Sequence, residues 1–206
     1  ITDFVTVGFA GLSDTVDALG GVMIDVDDAE LQHINNYQKT MAKDLKRDYT
    51  PVSSTGYQLL DGLQATAYCR IRYTAGDDFK RAERQREVLM AIVDKAKSAS
   101  PATLTAAVNA IFDNDEIYTS LDISEILELL GEIGNYEIVA QGGFPEESMR
   151  TTGTIGQKGS CVVPVSLTDN VQWLHEFLFD DVGYTPSDAV QQYSEKVKAD
   201  TSKYVK

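Results

Sequence analysis

The sequence predicts an α/β protein, an α-β-α layered domain with a central mixed β-sheet. Three observations lead to this class. Short runs typical of strands occur along the whole chain, at 4–7, 22–26, 67–73, 137–140 and 161–165. Segments with apolar residues at helical spacing lie between most of them. No internal repeat, low-complexity segment or linker interrupts residues 1–206, so we expect a single domain.

The start of the chain is predicted to form a compact β-α-β unit, which usually pairs its two strands in parallel. A strand at 4–7 leads into a helix at 11–19. Gly20-Gly21 ends this helix, because glycine accepts the left-handed conformation of a C-cap. The second strand, 22–26, follows directly.

Six elements lead through the middle of the chain. They are a helix at 27–46, a loop at 50–56, a short helix from Asp61, a strand at 67–73, a turn at 74–78 and a long helix at 79–98. Asp61 and Gln64 have the spacing of a capping box, which predicts the start of the short helix.

The last part of the sequence is predicted to be mainly helical. Ser100-Pro101 places a cap before a proline at the first helical position, which favours a helix start. Asp122 begins the next helix, and Thr168 and Thr185 cap the last two. The Gly-rich stretch 141–159 is expected to be irregular.

Composition excludes several functional classes. The 206 residues are 43% hydrophobic and 24% charged, which is typical of a folded globular chain. With a net charge of −14, the protein is too acidic to coat nucleic acid or anionic lipid through its overall field. Two cysteines and two histidines leave no cluster for a structural zinc, and whether Cys69 and Cys161 pair stays open. No apolar run approaches the roughly 18–20 residues of a membrane span.

Residues 70–86 stand apart from this acidic background. They hold six Lys or Arg side chains against three Asp or Glu, a local charge of +3. On the predicted strand, Arg70 and Arg72 share one face, since alternate residues of a strand point the same way. The following helix start offers unpaired backbone N–H groups, which favour anions.

On that helix, Arg81, Arg84 and Gln85 lie on one stripe, within reach of the same corner. Guanidinium groups suit bidentate contacts with phosphate oxygens. Asp78 supplies a hard oxygen ligand suited to Mg²⁺. The pattern therefore predicts a site for a di-anionic or pyrophosphate group bridged by magnesium. The alternative, a ladder of arginines paired with the many carboxylates of the chain, remains open at this point.

Several segments of this chain resemble the LytR-CpsA-Psr family. Its signature matches Tyr68-Cys69-Arg70-Ile71-Arg72 and the run from Asp77 to Arg86, and further matches lie at 16–22, 61–65, 174–179 and 184–187. The resemblance implies a membrane-anchored enzyme on the extracytoplasmic face of the bacterial cell envelope. It implies transfer of a glycopolymer phosphate, such as teichoic acid or capsule, from a polyprenyl-pyrophosphate carrier to peptidoglycan, with Mg²⁺ as cofactor.

The resemblance also assigns residue roles. It implies pyrophosphate binding by Arg70, Arg72, Arg81, Arg84 and Gln85. Arg70, Arg72 and Asp78 become the catalytic residues, with Asp78 assisting the metal or the acceptor hydroxyl.

Two alternatives from other classes stay open. One is a non-catalytic module that binds pyrophosphate lipids or polyanionic glycans, and the other is a pyrophosphate hydrolase. The chain begins at Ile1 rather than Met, and the family normally has strands, further acids, another arginine and an anchor before this point. We therefore expect a C-terminal two-thirds of the family domain that exposes a sheet edge and core surface, and that is inactive alone.

Overall fold

The computed structural model describes residues 3–72, 77–112 and 117–205, with all of their side chains except those of residues 77 and 111. The chain forms two compact units, Ile1–Glu137 and Ile138–Lys206. Helices and short strands alternate along it, so the predicted α/β class is confirmed. The interpretation of 1–206 as a single domain stays a prediction.

The first unit contains ten regular elements in its described part. They are β1 (Val5–Val7), α1 (Phe9–Ala18), β2 (Val22–Val26), α2 (Asp28–Leu45), β3 (Gly56–Leu60), α3 (Gly62–Cys69), α4 (Asp77–Lys97), α5 (Pro101–Phe112), β4 (Ile117–Thr119) and α6 (Ile123–Gly131). The predicted turn at 74–78 falls largely outside the described residues.

The strand pairing differs from the predicted parallel β-α-β unit. β1 pairs with β4 and β2 with β3, both antiparallel, with Val5 opposite Thr119 and Val22 opposite Leu60. The prediction failed because period-two alternation identifies a strand without identifying its partner, which long-range packing decides. β3 was missed because its first residues read as part of a loop.

The predicted strand at 67–73 is wrong in its described part, because α3 includes 67–69 and residues 70–72 form no strand. The predicted capping box starts this helix: the Asp61 carboxylate accepts from the Gln64 N–H, and the Gln64 side chain accepts from the Asp61 N–H. All eight residues of α3 are buried, so the helix shows no polar face. An apolar run of this length cannot be told from a buried strand by periodicity.

The core of the first unit lies between α2, α3, α4 and the inner face of β2–β3. Its fully buried side chains include Val16, Ile34, Leu60, Ile71 and Val88. Burying each of these side chains stabilises the fold by about 1.5–3 kcal/mol. The other face of β2–β3 is apolar but exposed: Tyr57 is 71% and Leu59 55% accessible.

Gly62 allows α1 and α3 to cross closely. A Cβ atom at this position would lie 1.9 Å from the backbone oxygen of Ser13. At the same place the N–H of Gly62 donates to the Asp17 carboxylate at 2.6 Å. Partial burial raises the pKa of Asp17, and the charges of Asp61 and Asp14 add to this effect.

The second unit consists of a hairpin and two helices. Its elements are β5 (Arg150–Thr154), β6 (Ser160–Pro164), α7 (Leu167–Phe179) and α8 (Asp188–Thr201). β5 lies inside the stretch predicted to be irregular, and the predicted strand at 137–140 has no regular structure. The Gly153 Cβ position lies 2.7 Å from the backbone oxygen of Tyr204, so glycine lets the end of the chain pack on β5.

The remaining predictions from the sequence concern membrane-spanning helices and the two cysteines. Among the described helices, no segment is both long and apolar enough to span a bilayer. Cys69 and Cys161 are both free thiols. Burial raises the pKa of Cys69 to about 12, so its thiol stays protonated at neutral pH.

Candidate anion-binding site

Arg70 lies at the C-cap of α3 and is partly buried. Its guanidinium carbon is 4.3 Å from the ring centre of Phe9 and 5.3 Å from that of Tyr37. Both distances are within the range of a cation–π contact. Among the described residues, Arg70 has no carboxylate partner. Among the described side chains, two rings therefore contact this positive charge and no carboxylate neutralises it.

Arg72 and Arg81 share one carboxylate. The Asp78 oxygens lie 2.8 Å from a guanidinium nitrogen of Arg72 and 3.2 Å from one of Arg81. About half of the Arg72 and Asp78 side chains is exposed, so solvent and solutes reach this trio. Two cations and one anion leave a local charge of +1. Because Arg70 and Arg72 are two residues apart, their Cα atoms lie within about 7 Å of each other.

Arg84 is buried and paired with an acid. Its side chain is 1% exposed, and its Nε donates to Glu30 Oε1 at 2.7 Å. Glu30 is the third residue of α2 and closes the capping box that begins at Asp27, and its other oxygen accepts from the Asp27 N–H at 3.0 Å. A local helix cap and a long-range ion pair therefore meet in one buried carboxylate.

Arg84 and Gln85 both reach the backbone beside Arg70. Arg84 donates to the carbonyl oxygen of Ile71 at 3.3 Å, and Gln85 Nε2 donates to that of Cys69 at 3.5 Å. These two carbonyls flank Arg70 in the chain. The start of α4 is thus tied to the end of α3, and the tie fixes the backbone from which Arg70 and Arg72 extend.

The buried side chain of Tyr68 contacts residues of α4 at the same junction between α3 and α4. Tyr68 donates from its hydroxyl to Glu87 at 2.5 Å, and its ring faces the Arg84 guanidinium, 5.8 Å from the guanidinium carbon. Burial and the bond to Glu87 raise the pKa of Tyr68 strongly. The phenol therefore stays protonated and serves as a hydrogen-bond donor to the carboxylate.

The predicted gathering of arginines between two elements is therefore seen, but its geometry differs. Arg70 and Arg72 do not share the face of a strand, because Arg70 ends a helix. The alternative of an arginine ladder describes Arg72, Arg81 and Arg84, each of which contacts an acid. It does not describe Arg70. The roles of these residues toward a ligand stay predictions.

The environment of Asp78 does not by itself fit Mg²⁺. Magnesium requires several oxygen ligands in octahedral geometry. In the described ranges no group of three or more His, Cys, Asp or Glu side chains comes together. The Asp78 carboxylate is also engaged by Arg72 and Arg81. The described residues therefore supply no cluster of three or more such ligands, and the magnesium site at Asp78 stays a prediction.

Sequence reasoning missed three participants: Phe9, Tyr37 and Glu30. Glu30 follows Asp27 by three residues, so the capping-box spacing was visible in the sequence. Its pairing with Arg84 joins residues 54 apart, and no local pattern indicates such a contact. The two rings lie far from Arg70 in sequence and carry no motif.

The fold and the site together define an α/β protein with an arginine-rich surface next to the end of a buried helix. The LytR_cpsA_psr family model matches residues 1–160, which is most of the chain. The protein therefore belongs to the LytR_cpsA_psr family.

Curated relatives include three named transferases. The chain is 31% identical over 132 residues to the polyisoprenyl-teichoic acid–peptidoglycan teichoic acid transferase TagV of Bacillus subtilis (strain 168), covering 63% of this chain and 31% of that protein. It is 33% identical over 124 residues to TagU of Enterococcus faecalis, covering 59% and 36%. It is 41% identical over 93 residues to TagT of B. subtilis, covering 45% and 26%. The chain spans about a third of the length of the curated relatives it matches.

Solved structures show the same fold at low sequence identity. An Enterococcus faecalis protein named as a transcriptional regulator aligns with a TM-score of 0.68 and 18% identity, over 100% of this chain and 68% of the other. B. subtilis TagV aligns with a TM-score of 0.56 and 22% identity, over 90% of this chain and 66% of the other.

Proposed function

We propose that this protein acts as a glycopolymer phosphotransferase, an enzyme that moves a glycopolymer phosphate from a polyprenyl-pyrophosphate carrier onto peptidoglycan. The family membership and the names of the transferase relatives support the class of reaction. One observation of the structure carries the proposal: Arg70 presents a cation without a carboxylate partner among the described residues, beside the solvent-accessible Arg72–Asp78–Arg81 trio.

Charge supports a pyrophosphate ligand at this place. Counted over four described side chains, Arg70 adds one positive charge to the +1 of the trio, so the four together carry a net charge of +2. Guanidinium groups donate pairs of N–H bonds to phosphate oxygens, and such charge-assisted bonds are the strong ones. A pyrophosphate also competes with Asp78 for Arg72 and Arg81, which would release the carboxylate for another role.

The proposed reaction is an in-line displacement at the phosphorus next to the sugar. A peptidoglycan hydroxyl oxygen forms the new P–O bond, the bond to the bridging oxygen breaks, and polyprenyl phosphate leaves. Arg70 and Arg72 bind the charge that develops on the phosphate oxygens, since phosphoryl transfer depends mainly on positioning and charge stabilisation. Asp78 is the group proposed to accept the hydroxyl proton. Arg84 and Gln85 hold the backbone of the two arginines.

The location follows the same proposal. A reaction between a polyprenyl-linked glycan and peptidoglycan takes place at the outer face of the cell membrane, and we place the protein there. Magnesium as the cofactor is proposed on the resemblance alone: Asp78 would be the residue to hold it, and the ion would supply further positive charge.

The test uses the complete protein with a labelled polyprenyl-pyrophosphate glycan and a peptidoglycan acceptor. The double variant Arg70→Ala with Arg72→Ala is expected to lower transfer by at least about a hundredfold, because it removes two transition-state contacts. Arg47→Ala is the matched control, since Arg47 pairs with Asp14 on an exposed surface. Full transfer by the double variant would refute the proposal.

The products separate the alternatives. Glycan attached to peptidoglycan supports the transferase. Binding of donor without turnover would instead make the protein a binding module. Release of free glycan phosphate would make it a hydrolase that uses water as the acceptor.

A further inference from the structure

We propose that Phe9 and Tyr37 are positioning residues of the phosphate site, which hold the Arg70 guanidinium between two aromatic faces. The inference rests on the proposed function and adds to it two residues from other elements. Phe9 is the first residue of α1, Tyr37 lies in the middle of α2, and Arg70 ends α3. Three helices thus contribute to the position of one cation.

The chemistry of the contact explains why rings are used here. A carboxylate would hold a guanidinium equally well, but it would cancel the charge and occupy the N–H donors. An aromatic face attracts the cation through its π electrons and contacts the flat side of the guanidinium. The N–H groups on the edge then remain available to an anion. Arg72, Arg81 and Arg84 are held by acids instead.

The two rings differ in burial in a way that fits this role. Tyr37 is partly buried and packs against the core cluster, so its ring is fixed. Phe9 is 51% exposed, although it is large and apolar. Phe9 gains little from burial at this position, whereas its contact with Arg70 at 4.3 Å is the closer of the two. The ring of Phe9 therefore makes the closer contact with the guanidinium while about half of its own surface stays open to solvent.

Ordinary apolar packing is the competing explanation. A leucine at position 9 or 37 would pack against the aliphatic part of Arg70 but has no π face. A tryptophan at position 9 would restore the π face. Comparing the leucine and tryptophan replacements therefore distinguishes a cation–π contact with Arg70 from ordinary apolar packing.

The experiment has two measurements on the same purified chain. The first is the NMR shift of the Arg70 Nε–H proton, assigned with Arg70→Lys, because protons above a ring are shielded. The second is the dissociation constant of inorganic pyrophosphate, measured by calorimetry. The variants are Phe9→Leu, Tyr37→Leu and Phe9→Trp. Phe4→Leu is the control, since Phe4 is similarly exposed (54%).

We expect Phe9→Leu and Tyr37→Leu each to reduce the shielding of the Arg70 proton, since one ring remains, and to weaken pyrophosphate binding about threefold to tenfold. Phe9→Trp should keep both properties near their wild-type values, and Phe4→Leu should change neither. If wild type binds pyrophosphate and Phe9→Leu binds it equally well, the positioning role is refuted while the phosphate site stands. If wild type with a shielded Arg70 binds no pyrophosphate, the proposed function is refuted, and the positioning role with it.

Discussion

The buried pair of Glu30 and Arg84 gives the sharpest stability prediction. Both side chains are at most 3% exposed, and their atoms approach to 2.7 Å. Removing one partner of such a pair leaves an uncompensated buried charge and costs about 3–5 kcal/mol. Glu30→Ala also deletes the acceptor for the Asp27 N–H, a cap contact that contributes about 0.5–2 kcal/mol. The free energy of unfolding should therefore fall by at least about 3 kcal/mol, a large share of the roughly 5–15 kcal/mol of a typical domain.

Urea unfolding at pH 7 measures this loss. The control is Glu83→Ala, because Glu83 pairs with Lys80 at 3.0 Å on the exposed side of α4, where such a pair contributes about 0–1 kcal/mol. If Glu30→Ala leaves too little folded protein, Glu30→Gln gives a milder loss of about 1–3 kcal/mol. Equal losses from Glu30→Ala and Glu83→Ala would refute the reasoning.

A double variant connects this pair to the site. Replacing Glu30 and Arg84 together by methionine removes both buried charges, so stability should recover to within about 2 kcal/mol of wild type. The same variant lacks the Arg84 bond to the Ile71 carbonyl, which lies between Arg70 and Arg72. Pyrophosphate binding should therefore stay weakened in a protein that is stably folded. Recovery of binding along with stability would show that Arg84 does not position the segment.

Two further predictions concern the crossing of α1 and α3. Gly62→Ala should lower the free energy of unfolding by more than about 2 kcal/mol, since the added Cβ would lie 1.9 Å from the Ser13 oxygen. Gly131 has open space around it, so Gly131→Ala should change the free energy of unfolding little. Equal effects of the two variants in thermal unfolding would contradict this. Asp17→Asn should stabilise the protein at neutral pH but not at acid pH. The pKa of Asp17 is raised in the folded state, so ionisation of the carboxyl costs stability as the pH rises above 3.8, the ordinary pKa of an aspartate. Unfolding curves of variant and wild type that differ equally at both pH values would contradict this.

Local signals in the sequence predicted local structure at several places, although Ser166 and Ser187 cap α7 and α8 instead of the predicted Thr168 and Thr185. The capping boxes at Asp61 and Asp122 are formed, because their donors and acceptors lie three residues apart in the chain. The alternation of 22–26 is realised as a strand with Val22, Ile24 and Val26 buried. Each of these features depends on contacts within a few residues, which a sequence displays directly.

Features that depend on distant contacts escaped prediction. α3 was taken for a strand in its second half because all of its surfaces are buried, and total burial removes the helical period. The strand partners follow from packing between residues far apart, such as Val5 with Thr119. At the candidate site, the charge excess of 70–86 singled out this segment, and the role of the segment toward a ligand stays a prediction. The charge excess could not show that Arg84 faces inward to Glu30 while Arg70 meets two rings.

The inward orientation of Arg84 has a consequence for how this family signature should be interpreted. Together with Gly62, Arg84 serves the architecture of the fold through contacts that would be needed even if no substrate were ever bound. A descendant that had lost its chemistry would still be under selection to keep these two residues. Presence of the motif in a relative would then show that the fold is kept, without showing that the activity is kept. Loss of Arg70 or of its two aromatic neighbours would be the clearer sign that a relative has lost the activity.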